Sequence, residues 1–250
     1  AKWFYMSGGK ANVPMVIRLI IGRGWGQGPQ HSQSLESLFS HIPGLKVVCP
    51  STPHYAKGLL SQAIKDKNPV IFFEHRWLHN LKGLVEKKNY SLKIGQSRDA
   101  SRGDDITIIS FSYAVIQSLK INNILKDNKI SAEIIDLVSL RPLDTSKILA
   151  SAKKTKKVII IDNGWMTYGI SAEISALISE KIDKKIKIIR MGNINAPIPS
   201  TASLAKYSYP SDKDIIKNIS LMLKKKININ NKFRSYIPSD QPDINFQGPF

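Results

Sequence analysis

The segment Val70-Ile-Phe-Phe73 is apolar at every position and too short for a helix, as a strand covered on both faces requires. Segments of similar length recur at Ile106-Thr-Ile-Ile-Ser110, Ala132-Glu-Ile-Ile-Asp-Leu137, Val158-Ile-Ile-Ile-Asp162 and Ile186-Lys-Ile-Ile189. Two more strands are expected earlier, a buried one within Val13-Pro-Met-Val-Ile-Arg-Leu-Ile-Ile21 and one at 45–48. Between them lie stretches of helical length. Helices are expected at 33–41, at 53–67, from the end of the 106–110 strand to about Lys126, from Asp144 to near Lys154, at 170–182 and from Ser211 to about Lys225. Local signals support them. Thr52 can cap a helix with Pro53 at its first position. Ile170, Ile174, Leu177 and Ile178 share one face, and Ser211 with Asp214 has the form of a capping box. Strands alternating with helices imply an α/β fold with parallel sheets and right-handed crossovers.

The alternation divides into two units. The first runs to about residue 80. Residues 81–103 are polar, charged and aperiodic, and read as a linker with at most one short strand. The second unit covers 104–226. Residues 227–250, rich in Asn, Pro and Asp, read as an extended tail.

At 250 residues the chain can bury one large or two ordinary cores. A single cysteine, Cys49, excludes an intrachain disulfide and suits a reducing compartment. No charged-then-apolar leader opens the chain and no apolar run reaches spanning length, so a cytoplasmic protein with no membrane partner is expected. The chain opens on Ala1 almost directly into structured-looking sequence, as expected if its natural start lies upstream. The formal charge of +18 invites a nucleic-acid reading. The lysines, however, are scattered at helix ends (Lys153, Lys154, Lys156, Lys157; Lys224, Lys225, Lys226) and are not interleaved with aromatics. No nucleic-acid partner is expected.

Between the first strand and the first helix lies Gly22-Arg-Gly-Trp-Gly-Gln-Gly-Pro-Gln-His-Ser-Gln33. Four glycines free the backbone to approach a ligand, and the run ends on His31 flanked by amides and a hydroxyl. Strand, glycine loop, helix is how open α/β folds build sites at the carboxyl ends of their strands. A tight connection with a surface histidine gives the same local pattern. All five histidines (31, 41, 54, 75, 79) fall in the first unit, so imidazole chemistry must come from there. His41 and His54 sit at helix ends. His75 and His79, beside Arg76 and Trp77, line either a cleft or the linker.

The ordered series Tyr5-Met-Ser-Gly-Gly9, Gln30-His-Ser-Gln33, Ile42-Pro-Gly-Leu-Lys-Val-Val48, Ala56-Lys-Gly-Leu-Leu60, Lys67-Asn-Pro-Val70 and Leu140-Arg-Pro-Leu-Asp144 resembles one family. It is the β subunit of the thiamine-diphosphate-dependent dehydrogenase component of 2-oxo acid dehydrogenase complexes (pyruvate, branched-chain or acetoin type). Gly164-Trp-Met-Thr-Tyr-Gly169 followed by Ser171-Ala-Glu173 also fits, and the resemblance extends to about Lys225.

That resemblance implies a partial thiamine-diphosphate-binding (pyrimidine) domain followed by a transketolase carboxy-terminal-like parallel-sheet domain. It implies an oxidoreductase active only with its α subunit, in an α2β2 heterotetramer serving a lipoyl acyltransferase core. In the family, thiamine diphosphate and Mg2+ are held by their diphosphate side on the α subunit. The ring-activating glutamate lies upstream of the Tyr-Met-Ser-Gly-Gly motif, and no residue here matches it. A 2-oxo acid, pyruvate first, loses carbon dioxide and passes its acyl group to a lipoyl disulfide. The cofactor is the electron sink and the protein supplies orientation and proton transfers. His31 would hydrogen-bond the substrate carboxylate or protonate the departing lipoyl sulfur. Ser32 and Gln33 either fix its orientation or cap the following helix. The family's structural potassium maps onto Ala63, Ile64, Asp66 and Asn68, which read equally as a polar helix terminus. Two other readings share the domain order: half of a transketolase or deoxyxylulose-phosphate synthase, and a non-catalytic assembly partner. The expected compartment is the cytoplasm, or the mitochondrial matrix in a eukaryote.

Overall fold

The computed structural model describes residues 1–23 and 26–229. The chain begins with the one-turn α1 (Trp3–Met6), β1 (Val16–Ile21), the one-turn α2 (Gly28–His31), α3 (Glu36–Ser40), β2 (Lys46–Val48), α4 (Pro53–Lys65) and β3 (Val70–His75), which turns into a 3-10 helix at Arg76–Leu78. After an irregular stretch come β4 (Arg98–Ser101), β5 (Ile106–Ser110), α5 (Tyr113–Asp127), β6 (Ala132–Asp136), β7 (Ser139–Arg141) and α6 (Thr145–Thr155). The chain continues through β8 (Lys157–Trp165), α7 (Ile170–Lys181), β9 (Lys187–Asn193), α8 (Ala202–Ala205) and α9 (Asp212–Leu223). No helix among the described residues is long and apolar enough to cross a membrane.

Two sheets form, in the orders β1-β3-β2-β7 and β4-β6-β5-β8-β9. The α/β expectation holds, with all pairings parallel except β7 on β2 and β4 on β6. The caps form as read. Thr52 accepts from the Tyr55 N–H at 3.3 Å, Asp144 accepts from the Lys147 N–H, and Ser211 with Asp214 closes a capping box.

Two readings change. The strand expected to be buried near the start is an edge strand. With no described element beyond β1, Ile20 is 61% exposed and Ile17 is exposed too. The expected 33–41 helix shrinks to Glu36–Ser40, because Gln33 to Leu35 stay irregular. The polar stretch 81–103 carries one short strand, as its reading allowed, and it is tied to both units. Tyr90 Oη donates to the His54 carbonyl at 2.7 Å, the Leu92 N–H to the Gly58 carbonyl at 3.1 Å, and β4 joins the second sheet.

The Leu140-Arg-Pro-Leu-Asp144 motif stitches the sheets together. β7 returns from the second unit to pair with β2, and Asp144 then accepts the Ser97 N–H at 2.9 Å while capping α6. The largest core cluster is accordingly shared, running from Ile71 and Phe73 of the first sheet to Ile109, Ile135, Ile160 and Ile174 of the second unit. One further cluster packs α5 and α9 on the second sheet, and another packs α4 on the first. The expected tail lies, from residue 230 on, outside the described residues.

Candidate active site

The parallel register of β1 on β3 pairs Ile21 with His75, so both strands end at one level. Two segments meet there, Gly22 with the glycine loop past the end of β1 and Arg76 to His79 past the end of β3. The meeting point is a cleft of about 490 Å³. Leu19, Ile21, Leu35 and Phe73 wall it, and His31, His79 and Arg76 stand at its polar side. No carboxylate lines it among the described residues.

His31 ends the one-turn α2 and is exposed. Its backbone is clamped: Arg76 Nη2 donates to the His31 carbonyl at 2.8 Å, and Nη1 to Gln27 Oε1. Gln33 Nε2 donates to the Gln30 carbonyl at 3.1 Å, which tightens the same turn. Neither Ser32 nor Gln33 caps α3, whose N-cap position is Leu35. Gln33 therefore orients the turn, and Ser32 is buried beneath it. Sequence reasoning noted Arg76 only as a neighbour. Its signal was the β1–β3 register, which sequence alone does not give.

Two of the loop glycines also leave room for neighbouring side chains. Gly22 has φ +91°, and a Cβ there would sit 2.2 Å from His75 Nε2. At Gly28, φ +60°, a Cβ would sit 2.3 Å from Ser200 Oγ of the second unit. Gly24 and Trp25 lie outside the described residues. His75 is absent from the cleft that holds His31 and borders a neighbouring one with Ser51, Glu74 and His79. It is 3% exposed, stacks on Tyr113 with centroids 5.1 Å apart, and accepts the Trp77 N–H on Nδ1 at 3.2 Å. Burial, with the charges of Arg23 and Arg76 nearby, holds its imidazole well below the ordinary range. His41 is exposed at the end of α3, and His54 stacks on Tyr90. His79 alone joins His31 in the cleft, its Nε2 3.5 Å from Glu74, which also takes both bonds of Arg18.

Beneath the cleft lie buried acids. Glu36, on α3, is 2% exposed, and burial pushes its carboxyl up to about 8, with the Asp162 charge adding to the rise. Asp162 is raised by burial despite accepting the Gly164 N–H at 3.1 Å and the Ser171 N–H at 2.9 Å. Cys49 is buried and unpaired, and burial drives its thiol up as well.

Among the residues mapped to potassium, Asp66 and Ala63 have protein partners. Both Asp66 carboxylate oxygens accept hydrogen bonds, Oδ2 from Lys46 Nζ and Oδ1 from the Asn68 N–H. The Ala63 carbonyl takes the Asp66 N–H at 3.2 Å, and the Ile64 side chain points to solvent. A cation at Asp66 would compete with the Lys46 ammonium. No group of three or more His, Cys, Asp or Glu that could hold a metal ion occurs among the described residues. For thiamine diphosphate the fit is partial. The apolar walls suit a flat ring or an acyl group, and the polar rim offers imidazole and guanidinium.

Residues 1–81 match the model of the transketolase pyrimidine binding domain, and residues 95–215 that of the transketolase C-terminal domain. The chain is 40% identical over 217 residues to the acetoin:2,6-dichlorophenolindophenol oxidoreductase subunit beta of Cupriavidus necator, covering 86% of this chain and 64% of that one. It is 36% identical over 223 residues to the pyruvate dehydrogenase E1 component subunit beta of Rickettsia felis, covering 88% and 68%. The subunit of the same name from Mesostigma viride is 39% identical over 226 residues. The chain thus spans about two thirds of the length of these relatives, 64% of one and 68% of the others. A solved structure described as a split gene transketolase, inactive beta4 tetramer, superposes with a TM-score of 0.71 at 17% identity, covering 86% of this chain and 68% of that one. That likeness is one of fold.

Proposed function

This chain belongs to the family of E1 component β subunits of 2-oxo acid dehydrogenase complexes, and from that premise we propose that it carries the proton-transferring half of the active site. In this reading residues 1–80 are the second half of the pyrimidine domain and 104–226 the transketolase C-terminal-like domain. The partner α subunit holds the diphosphate and Mg2+. Bound thiamine diphosphate would supply the electron sink for loss of carbon dioxide from pyruvate.

The chain's own residues do the rest. Leu19, Ile21 and Phe73 exclude water from the ring and acyl side of the cleft. Arg76 and Gln33 hold the α2 turn so that the His31 imidazole faces the mouth. There it donates a proton to the lipoyl sulfur that departs when the disulfide opens, the other sulfur having taken the acyl carbon. The observation that carries this reading is the clamp of Arg76 on the turn bearing His31, at the strand ends where α/β folds place their chemistry.

The exposed apolar side chains of β1, with Trp3, Tyr5 and Met6 before it, support a permanent interface with the α subunit in a heterotetramer of two α and two β subunits. The assembly serves a lipoyl acyltransferase core in the cytoplasm, or in the mitochondrial matrix of a eukaryote. Co-expression of the full-length protein with its α subunit tests the reading. Pyruvate-dependent reduction of 2,6-dichlorophenolindophenol should require both subunits, and light scattering should give the heterotetramer. Activity of this chain alone contradicts the reading, as does turnover with acetoin but not with pyruvate.

A further inference from the structure

We propose that Glu36 is a positioning residue for His31: its buried carboxyl anchors the segment Gln30–Glu36 against the corner between β8 and α7, and so fixes where the imidazole stands. The proposal rests on the role given to His31 above.

The segment is built like a plug. Ser32, Ser34 and Glu36 are each at most 4% exposed, while His31, Gln33 and Leu35 between them are not buried. One side of the segment therefore faces the cleft and the other faces the second unit. The inward side seats on β8: a Cβ on Gly164 would come within 3.1 Å of the Ser34 carbonyl oxygen. Gly164 and Ser171 in turn donate to Asp162, closing the corner on which the plug rests. Two glycines keep this corner tight, since a Cβ at Gly169 would lie 2.7 Å from Asp162 Oδ2. α3 begins at Glu36 itself, so any movement of this side chain is passed directly to the residues before it.

Glu36 Oε1 has no hydrogen-bond partner among the described residues. A buried carboxylate with an unpartnered oxygen, close to a second carboxylate, is costly to ionise. Its own backbone N–H favours the ionised form, and burial outweighs it. Asp162 on β8 and Cys49 after β2 are both buried, and neither offers a positive charge. Of the cations on the packed strands, Lys46 is engaged with Asp66 and Arg141 with the Ser40 carbonyl at the far end of α3, while Arg190 on β9 acts on Asp162 and donates to the Met166 carbonyl at 2.8 Å. Burial accordingly lifts the Glu36 carboxyl to about 8. Below that pH the plug is neutral and seated. Above it a carboxylate with one oxygen unpartnered faces Asp162, and the segment bearing His31 is pushed out of register.

The test uses the assembled complex. Hydrogen-exchange protection of residues 30–36 and the overall rate are measured at about pH 7 and about pH 9 for wild type, Glu36→Gln and Glu36→Ala. Wild type should lose protection and rate at the higher pH, and Glu36→Gln should keep both. Glu36→Ala should lose protection at both, with kcat down roughly 10–10²-fold and a smaller change in KM. Equal protection of wild type and Glu36→Gln at both pH values overturns the proposal, and that comparison suffices if Glu36→Ala does not fold. Lost protection in Glu36→Ala with an intact rate, while His31→Ala collapses the rate, also overturns it. If both variants keep the rate while Glu36→Ala loses protection, the anchor is supported and the role of His31 is refuted.

Discussion

Arg76 and His31, 45 residues apart in sequence, are joined by a 2.8 Å hydrogen bond from guanidinium to backbone carbonyl. The bond ties the turn carrying the imidazole to the end of β3, so the two sides of the cleft move as one. Arg76 also reaches Gln27, so a single fork holds both ends of α2. Replacing Arg76 by Met should cost about 1–3 kcal/mol of stability and roughly tenfold in overall rate. Arg76→Lys should recover little, because an ammonium cannot span both acceptors. Denaturant unfolding and steady-state kinetics check the pair, and full rescue by Lys would contradict the clamp.

Gly22→Ala should unfold more easily than wild type by about 2–4 kcal/mol. Its φ of +91° strains any side chain, and the new Cβ would overlap the His75 ring at 2.2 Å. Urea midpoints measure this. Stability within about 0.5 kcal/mol of wild type would show that the glycine serves something other than His75.

Glu36 makes stability depend on pH in a direction opposite to an ordinary ion-paired acid. Its carboxyl titrates at about 8 in the fold against an ordinary value of 4.5, so the folded state holds the extra proton between those values. Stability from this group is complete below about 4.5 and is lost as pH rises through about 8. The slope should approach, at most, about 1.4 kcal/mol per pH unit. Glu36→Gln should flatten that slope. Parallel stability curves for the two proteins would contradict a neutral Glu36.

Potassium should not stabilise the wild-type protein beyond sodium, because Lys46 already neutralises Asp66. In Lys46→Ala the carboxylate is released, and a melting temperature that rises with potassium is expected there. A potassium-specific rise in the wild type would show that the ion displaces the lysine.

Much of the second unit was legible because its signals are local. Asp144, Ser211 and the apolar runs of β5 and β8 each specify a cap or a strand from their own few residues. What escaped was non-local. β7 is three residues long and pairs back across the unit boundary, so nothing in its composition marks it. β1 reads as buried by its isoleucines, yet its place at the sheet edge exposes them. In the cleft His31 stood out by its glycine-rich setting. Its partnership with Arg76 and His79 comes from strand register, as does the room that Gly22 leaves for His75. Nothing in the sequence around Glu36 marks it. Only the packing of α3 on the second unit makes it a buried acid.

The central claim is that His31 transfers a proton during acyl passage to the lipoyl group, and His31→Ala in the assembled complex tests it most directly. Overall turnover should fall by roughly 10²–10⁴-fold, the range for losing a positioned acid or base. Pyruvate oxidation with an artificial electron acceptor, which bypasses the lipoyl step, should fall less, and the melting temperature should hold because the side chain is exposed. A lowered melting temperature with a preserved rate per folded molecule would make His31 structural and contradict the account.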